Sequence, residues 1–337
     1  MGGYCVAIVG ATGLVGQEFI KVLEQRNFPV AELRLFASDR SAGRRLTFKG
    51  EELPVLETSE AGFKGVQLAL FSAGAEVSRE WAPVAVRAGA VVVDNSAAWR
   101  LEPDVPLVVP EVNPEDVTWH RGIIANPNCS TIQMVVAVNP IHRVNRVRRV
   151  IVATYQSVSG SGSAALEELR AQTEAVLRGE AVCPSVYPHQ IGFNLLPHID
   201  RFYEDGYTKE ELKMLQETRK IMHEPELPVS ATCVRVPVFI GHSEAVHLEL
   251  TEPMSPAEAR EVLSRAPGVV VLDDPARNVY PMPWDAAGRD EVFVGRIRED
   301  KAFQPGLVMW VVADNVRKGA ALNAVQIAEE LIRRGLL

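Results

Sequence analysis

Residues 4–16 hold the strongest constraint in the chain. Tyr4 to Val9 is a short apolar run. It ends in Gly10-Ala11-Thr12-Gly13-Leu14-Val15-Gly16, and an amphipathic stretch follows to about Arg26. Strand, glycine turn and helix in that order form a frame in which backbone N–H groups and a helix N-terminus reach a pyrophosphate. Small residues permit the close approach. The spacing is GxxGxxG rather than GxGxxG, so the motif draws much of its meaning from the frame. The competing reading is a glycine turn that only packs tightly.

The pattern then repeats. Glu32–Ala37, Leu68–Ser72 and Val91–Asp94 read as strands, with helical spacing over Glu76–Arg87. Strands alternating with helices predict a parallel, doubly wound sheet. Leu107–Val109 and Ile123–Ala125 read as further short strands of it. Asn126-Pro127-Asn128 breaks the pattern, and Cys129 opens a buried helix to about His142. Further strands are expected at Val150–Tyr155, Val229–Pro237, Ala245–Leu250, Val269–Leu272, Glu291–Ile297 and Leu307–Ala313. Ser159-Gly160-Ser161-Gly162 turns into a helix through Leu177, and capping boxes open helices after Thr208 and Ser255. Residues 180–206, rich in Pro, His and aromatics, read as irregular. Leu322, Val325, Ala328 and Leu331 share one face of the last amphipathic segment, Lys318–Arg334. The fold class is α/β, with a doubly wound, Rossmann-type domain over residues 1–128 and an α+β domain over 129–315. A C-terminal helix at 316–337 is expected to pack back on the first domain.

Composition agrees with two ordinary domains. The chain has 337 residues, 47% hydrophobic and 23% charged, which excludes disorder, collagen and coiled coil for the whole chain. A formal net charge of -8 argues against a nucleic-acid partner. Cys5, Cys129, Cys183 and Cys233 are too few and too scattered for a disulfide framework or a CxxC metal site, so no metal is expected. No targeting segment and no membrane-length apolar run stand out, and the expected location is cytoplasmic. Gly2 does not open a myristoylation pattern, because Val6 stands where Ser or Thr is wanted.

Two places carry chemistry. The tip of the second strand is Ser38-Asp39-Arg40-Ser41. A cation between hydroxyls suits a ribose 2′-phosphate and favours NADP. Asp39 leaves NAD open, since an acid there suits a 2′-hydroxyl, and Arg40 has a plain surface reading as well. Second, Cys129 stands at a helix N-terminus, where the dipole and free N–H groups favour a thiolate and an oxyanion. The commoner fate of a cysteine is the core, and that reading suits Cys5, Cys183 and Cys233. A thiol nucleophile needs a proton-transfer partner. Of His120, His142, His189, His198, His223, His242 and His247, only His242 follows a strand end into a polar turn, whereas His247 reads as packed within a strand. Glu217 and Lys220 are three apart on one helix face, and from spacing alone read best as a surface ion pair. Arg235 lies between Val234 and Val236 and points away from both.

Together the residues resemble the aspartate-semialdehyde dehydrogenase family along the whole chain. The resemblance rests on GATGLVG at 10–16, SDRSAG at 38–43, FSAG at 71–74, DNSAAWR at 94–100 and VPEVN at 109–113. It continues through NPNCST at 126–131, YQSVSGSG at 155–162, QETRK at 216–220, SATCVRVPVFIGHSE at 230–244 and DNVRKGAA at 314–321. It implies that Cys129 is the nucleophile, His242 the acid/base and Gln156 the group that orients the covalent intermediate. Arg235 would grip the substrate α-carboxylate and Glu217 its ammonium, with Arg100, Lys220 and Asn128 at the phosphate. Gly10, Ala11, Thr12, Gly13, Leu14, Val15, Ser38, Arg40, Ser41, Ser72, Gly74, Ser159, Gly160 and Asn315 would contact NADP.

The implied reaction is NADPH-dependent reduction of L-aspartyl-4-phosphate to L-aspartate-4-semialdehyde and phosphate through a cysteine thioester. It would serve lysine, diaminopimelate, methionine and threonine biosynthesis. The implied assembly is a homodimer or a dimer of dimers, with no nucleic acid and no membrane. Rival readings are an N-acetyl-γ-glutamyl-phosphate reductase, which needs no acid for a free ammonium, and a non-catalytic dinucleotide-binding homologue. A glyceraldehyde-phosphate-type enzyme fits less well, because its cysteine context differs.

Overall fold

The computed structural model describes residues 3–337, so the reading of Gly2 lies outside the described residues. The chain forms two compact units. One comprises the residues up to Asn128 together with Ala320–Leu337, the other Cys129–Gly319.

The first unit runs β1 (Tyr4–Val9), α1 (Leu14–Gln25), β2 (Val30–Ala37), β3 (Arg45–Phe48), β4 (Glu51–Glu57), β5 (Leu68–Phe71), α2 (Ala75–Arg87), β6 (Val91–Asp94) and β7 (Ile123–Ala125). Its seven strands lie in the order β3-β4-β2-β1-β5-β6-β7. All neighbours are parallel except β3 and β4. The central strand is apolar on both faces because helices cover both. Val6 and Ile8 pack with Phe19 and Leu23 of α1, while Ala7 and Val9 pack with Phe36, Phe63 and Phe71. The C-terminal helix, Leu322–Arg333, completes the first of these clusters with Leu322, Val325, Ala328 and Leu331. Arg26 and Glu329 clamp it to the end of α1 by two hydrogen bonds of 2.7 Å.

Two sequence expectations fail here. Leu107–Val109 is not a strand: it makes a single bridge, Leu107 to Ala125. Pro106 and Pro110 bracket it, and a proline brings no N–H to a ladder. The hairpin β3–β4 was not expected. Its residues are mostly charged or exposed, so no apolar alternation announces it. The signal it does carry is Lys49-Gly50, both at positive φ, which is the backbone of a tight hairpin turn.

The second unit runs α3 (Cys129–Val144), β8 (Val147–Gln156), α4 (Ser163–Arg178), α5 (Lys209–Ile221), β9 (Val229–Arg235), β10 (His242–Leu250), α6 (Pro256–Ser264), β11 (Val269–Val271), α7 (Pro283–Ala286), β12 (Val292–Glu299) and β13 (Gly306–Ala313). Its six strands form a mixed sheet in the order β11-β12-β13-β10-β8-β9. Both expected capping boxes form, at Thr208 with Glu211 and at Ser255 with Glu258. Helices α3, α5 and α6 pack against this sheet. Along β8 the alternate residues Ile151 and Tyr155 are exposed, while Val150, Val152, Thr154 and Gln156 are buried. One face of the sheet is therefore covered; the other is open along β8, while Ala286 of α7 packs on it against Phe293 and Val312 of β12 and β13.

The glycine turn is set by contact distances. A Cβ on Gly16 would stand 2.1 Å from the Gly10 carbonyl oxygen, and one on Gly10 would stand 2.5 Å from that of Ser72. Both clashes are with backbone, which cannot swing aside. Gly16→Ala should therefore lower stability by about 3 kcal/mol, the upper range for overpacking. Urea denaturation measures this, and an unchanged midpoint would mean that the turn is not packed this tightly.

Candidate functional site

In the first unit the glycine turn borders a cavity of about 540 Å³. Gly10, Thr12 and Gly13 of the turn line it together with Ser72 and Ala73 after β5, Ser38 and Asp39 after β2, and Glu57 and Thr58 at the end of β4. Gly13 caps α1 without a side-chain hydrogen bond. The first-turn N–H groups of the helix are thus not claimed by a capping side chain. Gly74 caps α2 in the same way at φ 90°. Ala11 is buried behind the turn, and Leu14 and Val15 are half-buried at the start of α1. Arg40 and Ser41 stand on the 3-10 turn after Ser38 and do not line the cavity; Arg40 is exposed. Asp39 accepts the Arg40 backbone N–H at 2.7 Å, so one of its oxygens serves its own turn. Sequence reasoning missed Glu57, Thr58, Val77 and Trp81, which also line the cavity. The parallel pairing of β4 on β2 delivers Glu57 level with Ala37, and that strand carried no signal.

The second unit gathers its polar side chains by strand register. Gln156 on β8 pairs with Arg235 on β9. On the other side of β8, Ser243 of β10 pairs with Tyr155, which brings His242 level with Gln156. Arg235, Gln156 and His242 therefore form a row on the covered face, and all three are buried. One step along the same face lies a second row, Cys233, Thr154 and Glu244, also buried. His242 is a correction: it opens a strand rather than sitting in a polar turn, and it is completely inaccessible.

His242 is oriented through Nδ1, which accepts the Ser157 backbone N–H at 3.0 Å. That assigns the neutral tautomer with its proton on Nε2, and Nε2 has no partner among the described residues. Burial, reinforced by the Arg235 guanidinium, pushes the imidazole down to about 3 from an ordinary 6.5. It is thus neutral and presents a donor. Around it, Asn315 Oδ1 accepts from the Ser157 and Ser159 hydroxyls and from the Gly241 backbone N–H at 3.0, 3.1 and 2.9 Å. Arg235 donates from Nη1 to the Ser157 carbonyl at 2.6 Å and leaves Nε without a partner among the described residues. Gly160 is exposed beside both: a Cβ there would approach Arg235 Nη1 to 2.9 Å and the His242 ring to 3.4 Å. Two buried, unpartnered donors beside a glycine gap suit an anionic ligand.

Cys129 opens α3 and is half-buried, so the expected place at a helix N-terminus holds. Gly319 makes room for it, since a Cβ at 319 would come within 2.8 Å of the Cys129 Cβ. The Gln156 side-chain amide donates to Ser130 Oγ and, at 3.2 Å, to Glu210. Glu210 in turn pairs with Lys213 at 2.9 Å. Tyr187 lies 5.9 Å from the Arg235 guanidinium, which gives the irregular segment a contact that its composition did not reveal.

Other expectations change with burial. Glu217 is 1% exposed, which removes the surface-pair reading of Glu217 with Lys220; Lys220 is half-buried on the same helix. Arg100 is buried too, donating to the Asn126 carbonyl at 2.9 Å and the Asn95 carbonyl at 3.0 Å, and Asn128 is buried. Cys233 is a core cysteine, its thiol pushed up by burial, but Cys183 is exposed and Cys5 half-buried. His247 is not simply packed: it is half-buried and pairs with Asp300 at 2.7 Å. No helix among the described residues is long and apolar enough to cross a membrane.

Comparison with known proteins gives one consistent family. Residues 5–120 match the family described as semialdehyde dehydrogenase, NAD binding domain, and residues 138–318 its dimerisation domain. The aspartate-semialdehyde dehydrogenase of Aquifex aeolicus is 63% identical, with 99% of this chain and 100% of that one covered. That of Bacillus subtilis is 52% identical, with 99% of each covered. The crystal structure of aspartate semialdehyde dehydrogenase II complexed with ASA from Vibrio cholerae superposes with a TM-score of 0.96 at 49% identity, covering 98% of each chain. The Candida albicans enzyme with NADP gives 0.76 at 27% identity, covering 99% of this chain and 100% of that one.

The depressed imidazole of His242 has a consequence for stability. Between pH 6.5 and about 3 the unfolded chain binds a proton that the folded chain refuses. This group therefore lowers stability as pH falls through that window, by an amount on the order of a few kcal/mol. His242→Gln should flatten the acid side of a stability–pH curve measured by urea denaturation. An identical acid limb in the variant would mean that the imidazole charges within the fold.

Proposed function

The chain belongs to the aspartate-semialdehyde dehydrogenase family, and from that premise we propose how its residues carry out the family's reaction. It is an NADP-dependent, phosphorylating oxidoreductase of amino-acid biosynthesis, linking L-aspartyl-4-phosphate to L-aspartate-4-semialdehyde. The observation that carries the residue assignment is the buried row Arg235, Gln156 and His242, in the same unit as the helix that starts at Cys129.

The Cys129 thiolate attacks the β-carbonyl carbon, the carbon–sulfur bond forms and phosphate leaves with the electrons of the carbon–oxygen bond. The helix N-terminus favours negative charge at this point. Gln156, held by Ser130 and Glu210, orients the resulting thioester. When bound, NADPH supplies the hydride that reduces the acyl carbon. His242, fixed through Nδ1 by Ser157, hydrogen-bonds through its Nε2–H to the oxygen that gains charge; as that oxygen's electron pair re-forms the aldehyde C=O, the carbon–sulfur bond breaks and the Cys129 thiolate leaves with its electrons. Arg235 uses its unpartnered donor on the substrate α-carboxylate, and buried Glu217 takes the free ammonium. That ammonium separates this reaction from reduction of an N-acetylated substrate. The phosphate roles of Arg100, Asn128 and Lys220 rest on the resemblance of their motifs.

The cavity of the first unit fits a dinucleotide. Gly10 and Gly13 line it without side chains, and α1 starts directly after Gly13 with no capping side chain. Ser38 on the wall, with Arg40 and Ser41 on the same turn, is our site for the 2′-phosphate. Ser72, Gly74, Ser159, Gly160 and Asn315 are assigned to the cofactor by the motifs that hold them. The two units thus act as cofactor and catalytic domains. The open face of the six-stranded sheet, with Ile151 exposed and the rings of Tyr155 and Trp310 5.3 Å apart, is our surface for a homodimer. The pathway assignment to lysine, diaminopimelate, methionine and threonine follows the same reading.

Cys129→Ala should keep NADP binding and lose phosphate-dependent reduction of NADP by L-aspartate-4-semialdehyde. Substantial residual turnover would remove the thiol from its role. Arg40→Ala should weaken NADPH by about tenfold, a typical loss for one charge-assisted contact, while hardly touching NADH. Equal loss for both cofactors, in fluorescence titrations, would place the 2′-phosphate elsewhere.

A further inference from the structure

Among the buried oxygens of the second unit that have no hydrogen-bond partner among the described residues, three lie together: both carboxyl oxygens of Glu244 and Oε1 of Gln133. The mechanism above uses neither residue. Glu244 is completely inaccessible and stands two residues after His242 on β10, so the two side chains share the covered face. Gln133 is also completely buried and comes four residues after Cys129, one turn along α3. Its Nε2 donates to the His242 backbone carbonyl at 3.3 Å, which fixes the amide's orientation, and its side chain adjoins Glu244. One amide thus touches the first turn of the catalytic helix and the first residue of the catalytic strand.

A carboxylate in this place has little to hold it. Thr154, across from Glu244 on β8, offers one hydroxyl. The groups from neighbouring elements are Cys233 on β9 and the acids Glu210 and Glu211 on α5; Glu210, Glu211 and Glu244 all act on the Cys233 thiol. The nearby cation, Arg235, is directed at the Ser157 carbonyl. His242 is neutral. A proton on Glu244 changes the count. A carboxylic acid and a primary amide make two hydrogen bonds to each other: acid O–H to amide oxygen, and amide N–H to acid carbonyl. Those two bonds engage the three unpartnered oxygens and leave the other Gln133 N–H for the His242 carbonyl.

We propose that Glu244 is an un-ionised carboxyl paired with the Gln133 amide, and that this pair locks the helix start bearing Cys129 to the strand start bearing His242. Glu244 and Gln133 are then positioning residues, acting through the thiol and the imidazole. Their importance for turnover rests on the reaction assigned above; the pair itself does not.

The experiment compares the wild type, Glu244→Gln, Glu244→Leu and Gln133→Leu. Gln at 244 also pairs with an amide, whereas Leu does not. At neutral pH the wild type should show the infrared carbonyl band of an un-ionised acid, and Glu244→Gln should lack it. A carboxyl that keeps its proton only in the fold binds more protons folded than unfolded. Its contribution to stability is present below the ordinary value of 4.5 and is lost as pH rises. The thermal midpoint of Glu244→Gln relative to wild type should therefore climb with pH above that value.

Either leucine variant should slow iodoacetamide alkylation of Cys129 and lower kcat about tenfold with KM held, the scale of one unsatisfied buried acceptor. Glu244→Gln should restore both. No acid band, or leucine variants that alkylate and turn over like wild type, would overturn the proposal. If Glu244→Leu fails to fold, Gln133→Leu carries the same test, and the infrared and pH arms need no substrate. They therefore stand or fall apart from the assigned reaction.

Discussion

Backbone pairing of β8 with β9 on one side and β10 on the other places the chemistry of the second unit. Gln156 faces Arg235, and His242 comes level with Gln156. None of these side chains has to search for the others, because peptide groups set their spacing before any side-chain contact forms. A slip of one residue in either ladder would turn its strand over, sending Arg235 or His242 to the other face and bringing Val234 or Ser243 inward in its place. The burial that makes this register unambiguous is also what neutralises His242 and leaves its Nε2 proton for a ligand. Placement and reactivity thus share one cause.

The site carries an unusual load of buried polar groups. They are held in two tiers. The outer tier, Ser157, Ser159, Asn315 and the Gly241 N–H, is joined by hydrogen bonds of 2.9 to 3.1 Å and orients the imidazole. The inner tier, Thr154, Glu244 and Gln133, is met by fewer partners and sits between helix and sheet. A dry, hydrogen-bonded outer tier strengthens each of its electrostatic contacts, because little solvent competes for them.

The first unit was largely legible in the chain. The β1–turn–α1 frame announces itself because each level agrees: apolar strand, glycines where backbone must pass backbone, then helical periodicity. The C-terminal helix showed its apolar face at Leu322, Val325, Ala328 and Leu331. The hairpin β3–β4 was hidden because its strands are exposed on an edge and owe nothing to an apolar pattern. In the second unit, Cys129 could be seen from its local context. From local context Glu217 read as a surface residue and His242 as a turn residue, because burial of a polar side chain depends on elements remote in sequence. Glu210, Gln133 and Glu244 had no local signal at all; only cross-strand register gives them meaning.

The return of the last helix sets the order in which this molecule can be made. The core around Val6, Ile8 and Phe19 needs Leu322, Val325 and Leu331 to close it. On a ribosome the sheet of the first unit emerges early and waits, one apolar flank uncovered, while the whole second unit is synthesised. The middle of the chain is a continuous segment, and the first unit finishes only after residues 322–333 have emerged. Contacts spanning that much chain close slowly, and an uncovered flank is the surface that chaperones bind and aggregates grow from. The clamp between Arg26 and Glu329 is thus the seal on a nascent protein as well as a brace in the mature one.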